Sequence, residues 1–166
     1  MTTISQETSS DLLLNEINNI LKEYSDDETL GWALACAWTA LSYKADHLKI
    51  LAPKAKSPTC DYIVICTASN PSQAQAIADQ ICFLSRKTGK LDVKCEGKDY
   101  AHWILVDFEG ISFHIFLPET RDIYKLEELF NQYPQVKIPE HYYTSTNSVP
   151  QIKTDPLNVK DWTGHF

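Results

Sequence analysis

The sequence predicts an α/β domain: a mixed sheet of about five strands with flanking helices. Three observations carry this. The run Tyr62-Ile63-Val64-Ile65-Cys66 is apolar on both faces, as a strand covered from both sides must be. It leads straight into Asn70-Pro71, a helix start with an N-cap side chain and a proline at the first helical position. Two alternating apolar runs then flank Glu109-Gly110, a two-residue hairpin signal.

The elements follow in order. Leu13, Leu14, Ile17, Ile20, Leu21 and Tyr24 recur at helical spacing over residues 11–24, behind Ser9, Ser10 and Asp11 as capping candidates. A second helix over about 29–45 places Leu30, Leu34, Ala37, Trp38 and Leu41 on one stripe. Two strands, 48–51 and 62–67, are split by the Pro/Lys segment 53–58. The helix opened by Asn70 turns Ala74, Ile77, Ala78, Ile81, Cys82 and Leu84 inward and stops at Gly89. With a strand at 91–96, this unit predicts a right-handed parallel crossover. The hairpin strands span 102–108 and 111–117, and a last helix over about 120–132 stripes Ile123, Leu126, Leu129 and Phe130. Beyond Pro134, prolines without apolar periodicity predict an extended tail. The organisation is therefore an acidic helical extension (1–29), an α/β domain (30–133) and a tail (134–166).

Composition narrows the function classes. With 43% hydrophobic and 22% charged residues among 166, a single soluble core is expected. No run of about 18 apolar residues is present, and the first residues lack a secretory pattern. Five cysteines without a C-x-x-C pair argue against a disulfide framework or a zinc site and fit a reducing cytoplasm. Net charge is -7, and residues 1–30 hold seven acids against one lysine. That balance disfavours a nucleic-acid backbone as partner, because affinity for phosphates comes from Lys and Arg. A protein working beside RNA with this charge would grip a basic protein instead; alternatively, the acids only solvate an exposed helix.

The hairpin assigns its own faces. A two-residue loop pairs Phe108 with Ile111, Val106 with Phe113 and Ile104 with Ile115, so these six side chains share a core face. The opposite face pairs Asp107 with Ser112, Leu105 with His114, and Trp103 with Phe116. This composition suits neither a core nor a plainly solvated surface. It suits a protein-binding centre with aromatic anchors. The competing reading is internal cover by the N-terminal helix or by tail aromatics (Tyr142, Tyr143, Trp162, Phe166).

Catalysis has thinner support. Asp107 and Glu109 form an i, i+2 carboxylate pair of the kind that holds magnesium in some nucleotidyl transferases. The only candidate phosphate turn, Ala68-Ser69, lacks the glycine that permits close approach, and Glu109 falls in the hairpin turn. Cys66 lies within an apolar strand and reads as structural rather than as a nucleophile beside His114. No catalytic residues, metal or cofactor are expected.

The blocks Asp61–Thr67, Gln73, Ala76-Ile77-Ala78-Asp79, Glu96-Gly97, Trp103–Asp107, His114-Ile115-Phe116, Arg121, Tyr124, Leu126-Glu127 and Leu129, entered through Lys44-Ala45-Asp46, resemble the ribosomal silencing factor (RsfS, Iojap) family over about residues 30–133. Ala68 where the family usually has Gly, the reversed order of Glu109-Gly110, and Phe130 in place of a customary Trp depart from its pattern. The resemblance implies a nucleotidyltransferase-like fold without catalytic residues. It also implies binding to the fourteenth large-subunit ribosomal protein, steric blocking of subunit joining, and a possible homodimer when free. In the organelle branch it implies large-subunit assembly. A metal-dependent nucleotidyl transferase is the remaining alternative. By position, the characteristic surface falls on Trp103, Asp107, His114 and Phe116, with Glu119, Arg121 and Tyr124 beyond. Trp103 and Phe116 are expected to bury against the partner, Asp107 and Glu119 to meet its cations, and Arg121 either to join them or to brace acids within the domain.

Overall fold

The computed structural model describes residues 8–53, 60–89 and 92–145. Two helices open it, α1 (Ser9–Glu23) and α2 (Glu28–Ser42), followed by strands β1 (Asp46–Leu51) and β2 (Tyr62–Thr67). After α3 (Pro71–Lys87) come β3 (Lys94–Glu96), β4 (Trp103–Phe108) and β5 (Ile111–Phe116). Short helices α4 (Pro118–Tyr124), α5 (Leu126–Leu129) and α6 (Glu140–Ser145) close the described chain. The five strands form one mixed sheet in the order β1-β2-β5-β4-β3, with β2 and β5 parallel and the other neighbours antiparallel.

Local chemistry sets most boundaries. Thr8, one residue before the expected caps, closes a capping box with Asp11 at the start of α1. Asp27 caps α2 by accepting from the Leu30 amide at 3.0 Å, and its other oxygen accepts from the Tyr62 hydroxyl at 3.1 Å. Asn70 accepts from the Gln73 amide at 2.9 Å at the start of α3, while the Gln73 side chain turns to the Ser69 amide at 2.6 Å. The hairpin turn has positive φ at both Glu109 (48°) and Gly110 (81°), as a type I′ turn requires.

Four expectations need correction. Helix α2 carries no single stripe: every residue from Gly31 to Leu41 is buried, because α1, α3 and the sheet surround it. The strands flanking α3 run in the same direction but are not neighbours, since the β4–β5 hairpin lies between them. The helix expected over 120–132 is two short ones, broken where Lys125 takes a left-handed conformation (φ 45°), and Ile123 and Leu129 point to solvent. Residues 134–136 are not a free tail. They run beside edge strand β1, with hydrogen bonds from the Ala52 amide to the Pro134 carbonyl and from the Val136 amide to the Ile50 carbonyl. Helix α6 follows and buries Tyr142 in the main core. An edge strand's open amides and carbonyls recruit such a segment. Trp162 and Phe166 lie outside the described residues.

The six hairpin residues expected in the core are all there. Together with Ile50, Val64 and Cys66 they form the main apolar layer beneath α1, α2 and α3. The other face carries a smaller cluster of Leu51, Ile63, Ile65 and Phe116, covered by Trp103, Leu126, Phe130 and Tyr133.

Gly97 and Gly89 both have positive φ, 84° and 90°, but differ in surroundings. A Cβ at Gly97 would overlap the Trp103 carbonyl oxygen, whereas one at Gly89 would meet nothing within 4 Å. Gly97→Ala is therefore expected to cost about 1–3 kcal/mol and clearly more than Gly89→Ala. Urea denaturation of both variants checks this, and equal midpoints would overturn the assignment of Gly97 to close packing.

Candidate protein-binding site

Alternation along β4 and β5 brings Trp103, Leu105 and Asp107 alongside Phe116, His114 and Ser112 on the face away from the three long helices. Trp103 is the hub. Its ring stacks on Phe116 with centroids 4.9 Å apart, and Tyr124 from α4 meets it at 4.8 Å. Its indole Nε1 donates to His114 Nδ1 at 3.1 Å, which holds the indole in one orientation. An accepting Nδ1 places the imidazole proton on Nε2 and keeps His114 neutral. Burial reinforces this by pushing the His114 pKa down to about 4.

The expected contact residues separate into two layers. Tyr124 is 59% exposed, Glu119 is exposed, and Trp103 and Asp107 are half-buried. Phe116, by contrast, is fully buried beneath Trp103, and His114 and Arg121 are each only 8% exposed. Phe116 therefore has no ring surface left for a partner; it supports Trp103 instead. Arg121 braces an acid within the domain. It donates to the His47 carbonyl and to Thr67 Oγ1, both at 2.7 Å, and pairs with Glu127. His47 turns that carbonyl inward from a positive-φ position (50°) at an irregularity in β1. Lys49 also reaches Glu127, at 3.4 Å. Sequence reasoning marks Glu127 only as a member of the Leu126-Glu127 block; its pairing depends on tertiary placement.

Internal cover of this face does not come from the N-terminal helix. Leu13, Ile17 and Ile20 of α1, and Tyr142 of α6, join the cluster on the opposite side of the sheet. Among the described residues the cover comes from 126–133 and reaches β1, β2 and β5, leaving β4 and β3 the more open half, with Lys94 and Glu96 exposed.

Glu109 sits in the hairpin turn and is exposed, and among the described residues no three His, Cys, Asp or Glu side chains converge as a metal site would require. Cys66 is fully buried on the helical face, opposite His114, and burial raises its thiol to about 12. An open cleft of about 690 Å³ lies at the carboxyl ends of β2 and β5, where open α/β sheets hold nucleotides. Its cations are matched by carboxylates: Arg121 and Lys49 by Glu127, and Lys125 by Glu128 at 3.7 Å. That is a poor cradle for phosphates.

His114 gives the fold a pH signature. Its folded pKa lies below the usual value near 6.5, so between about pH 6.5 and 4 the unfolded chain binds a proton that the folded chain does not. Stability is then full above pH 6.5 and falls as pH drops, by about 2 kcal/mol between pH 7 and 5. Urea titrations at both pH values check this; a His114→Gln variant should flatten the difference, and an unchanged difference would refute the assignment.

A family profile described as ribosomal silencing factor during starvation matches residues 26–161, beyond the span of the sequence blocks. The ribosomal silencing factor RsfS of Bacillus subtilis strain 168 is 34% identical over 91 residues, covering 55% of this chain and 77% of that protein. The Mus musculus protein named mitochondrial assembly of ribosomal large subunit protein 1 is 53% identical over 38 residues, 23% of this chain and 17% of that one. A solved structure of a Bacillus halodurans protein superimposes with a TM-score of 0.54 at 28% identity, covering 61% of this chain and 92% of the other. Matched over most of its length and sharing the fold, the chain belongs to the ribosomal silencing factor (RsfS, Iojap) family.

Proposed function

We propose that this chain binds the large ribosomal subunit through the Trp103 face and blocks its joining with the small subunit. The partner in this reading is the fourteenth large-subunit ribosomal protein, and the mechanism is steric, without cofactor or turnover. The observation that carries it is an aromatic anchor held ready: Trp103 half-exposed, oriented by His114, stacked on Phe116 and flanked by exposed Tyr124. Such anchors dominate protein–protein binding energy. Asp107, farther along the same face of β4, and exposed Glu119 in the first turn of α4 supply negative charge, and the chain's net charge of -7 favours a basic protein over the RNA backbone. Phe116, His114 and Arg121 act beneath the surface. The relatives bear names of silencing and assembly factors rather than enzymes.

The site of action in this reading is the cytoplasm, and among the described residues no helix is long and apolar enough to cross a membrane. In this reading the chain can form a homodimer when free. A second reading, assistance in large-subunit assembly, is favoured by the name of the Mus musculus relative. The two share a docking face and differ in when they act.

Co-sedimentation with separated ribosomal subunits tests the proposal. Binding to the large subunit alone is expected, with fewer joined ribosomes. Trp103→Ala should weaken that binding by about 2 kcal/mol, roughly thirtyfold. Unchanged affinity in a folded Trp103→Ala variant would remove this face from the interaction, and binding to neither subunit would overturn the function. Binding without any loss of joined ribosomes would favour assembly.

A further inference from the structure

The stripe of Ile123, Leu126, Leu129 and Phe130 favours one continuous helix, yet the chain turns a corner at Lys125 between α4 and α5. A lysine takes the left-handed conformation there (φ 45°, ψ 49°), a strain that glycine would avoid, and no side chain caps α5. Helices of seven and four residues do not hold such a corner by themselves. An ion pair closes it: Arg121 and Glu127, six residues apart, meet across the break. In an unbroken helix side chains at that spacing point about 120° apart and do not face each other. The pair therefore exists only with the corner in place.

Both of its members are anchored to the sheet. The Arg121 guanidinium donates to the His47 carbonyl on β1 and to Thr67 Oγ1 on β2, both at 2.7 Å. Lys49 of β1 stands 3.4 Å from Glu127 Oε1. The hydrogen bond from Arg121 is the main cause that holds the Glu127 carboxyl below the usual carboxylate range, so the pair is charged at neutral pH. The residues on either side of Lys125 are the ones that reach the aromatic face. Tyr124 sets its ring against Trp103, with centroids 4.8 Å apart, and Leu126 joins the apolar cluster that Trp103 covers.

We propose that Glu127 is a positioning residue for docking: through Arg121 it holds the α4–α5 corner and thereby seats Tyr124 against Trp103. The proposal rests on the reading that the Trp103 face binds the large subunit. It gives Glu127 a role different from those of Asp107 and Glu119, because its charge is used within the domain and not on a partner's cations. Without the pair, the segment straightens toward the continuous helix that its stripe favours, and Tyr124 leaves the indole.

The test uses the full chain with Glu127→Gln, Tyr124→Ala and the two combined, in co-sedimentation with separated large subunits. Glu127→Gln is expected to weaken binding by about fivefold, and to add nothing once Tyr124 is replaced, because the same contact is already gone. Additive losses would mean that Glu127 meets the partner directly and would overturn the proposal, as would unchanged affinity of Glu127→Gln. A second readout needs no ribosome. In nuclear magnetic resonance spectra the Trp103 Nε1–H signal, identified by its loss in Trp103→Ala, should shift in Glu127→Gln. Cross-peaks between the Trp103 and Tyr124 rings should vanish, while the signals of buried Trp32 and Trp38 stay in place. Retention of those cross-peaks would also sink the idea. Should Glu127→Gln fail to fold, Lys49→Gln removes a more exposed partner of the same carboxylate and repeats the cycle, with an expected loss of about twofold; an additive loss or none overturns the proposal. Failure of the docking reading looks different: the wild-type chain then binds no large subunit, or Trp103→Ala binds as well as wild type, whatever Glu127→Gln does to the spectrum.

Discussion

Because Glu109 and Gly110 alone join β4 to β5, with both φ values positive, the two strands have one register. Period-two alternation then gives every side chain of both strands a face. A slip by one residue would drive Asp107 and His114 under the helices and expose Phe113 and Val106. The turn reaches further. The Gly110 carbonyl accepts from the amides of Asp61 and Tyr62, at 2.7 and 3.1 Å, which fixes where β2 begins beside β5. Three of the five strands thus take their alignment from one turn.

The sheet has unequal cover. Three long helices pack on one face, with α2 at their centre and buried all round. Among the described residues the other face receives Tyr124 and the 126–133 segment, fastened where Glu127 meets Arg121 and Lys49. A buried guanidinium is tolerable only with such partners, and Arg121 has a carboxylate, a hydroxyl and a carbonyl. Cover by the described residues therefore stops short of β4 and β3, where half-exposed Trp103 stands at the boundary between dry cluster and open surface.

Local signals made much of this legible. The bounds of β2, the cap of α3 and all six hairpin pairs follow from short-range chemistry, and the structure has them in place. The break at Lys125 was hidden because a lysine in the left-handed region carries no glycine signature. Docking of 134–136 was hidden because it depends on β1, more than eighty residues earlier in the chain. At the candidate site, pairing arithmetic found the aromatic face but not its depth. Phe116 and Trp103 are directly opposite in register, and which ring covers the other is decided by Tyr124 and Leu126 arriving from the next elements.

The hydrogen bond and stacking that hold Trp103 have a kinetic consequence. An indole fixed on a strand, with its N–H already engaged by His114, has little rotamer freedom to lose on contact. In the proposed complex, encounter then needs no rearrangement of this face, and its rate follows diffusion and the attraction between an acidic chain and the basic target proposed for it. Changes in the packing around the indole should register as changes in how long a complex lasts rather than in how fast it forms. The proposed docking face is therefore suited to persistent occupancy.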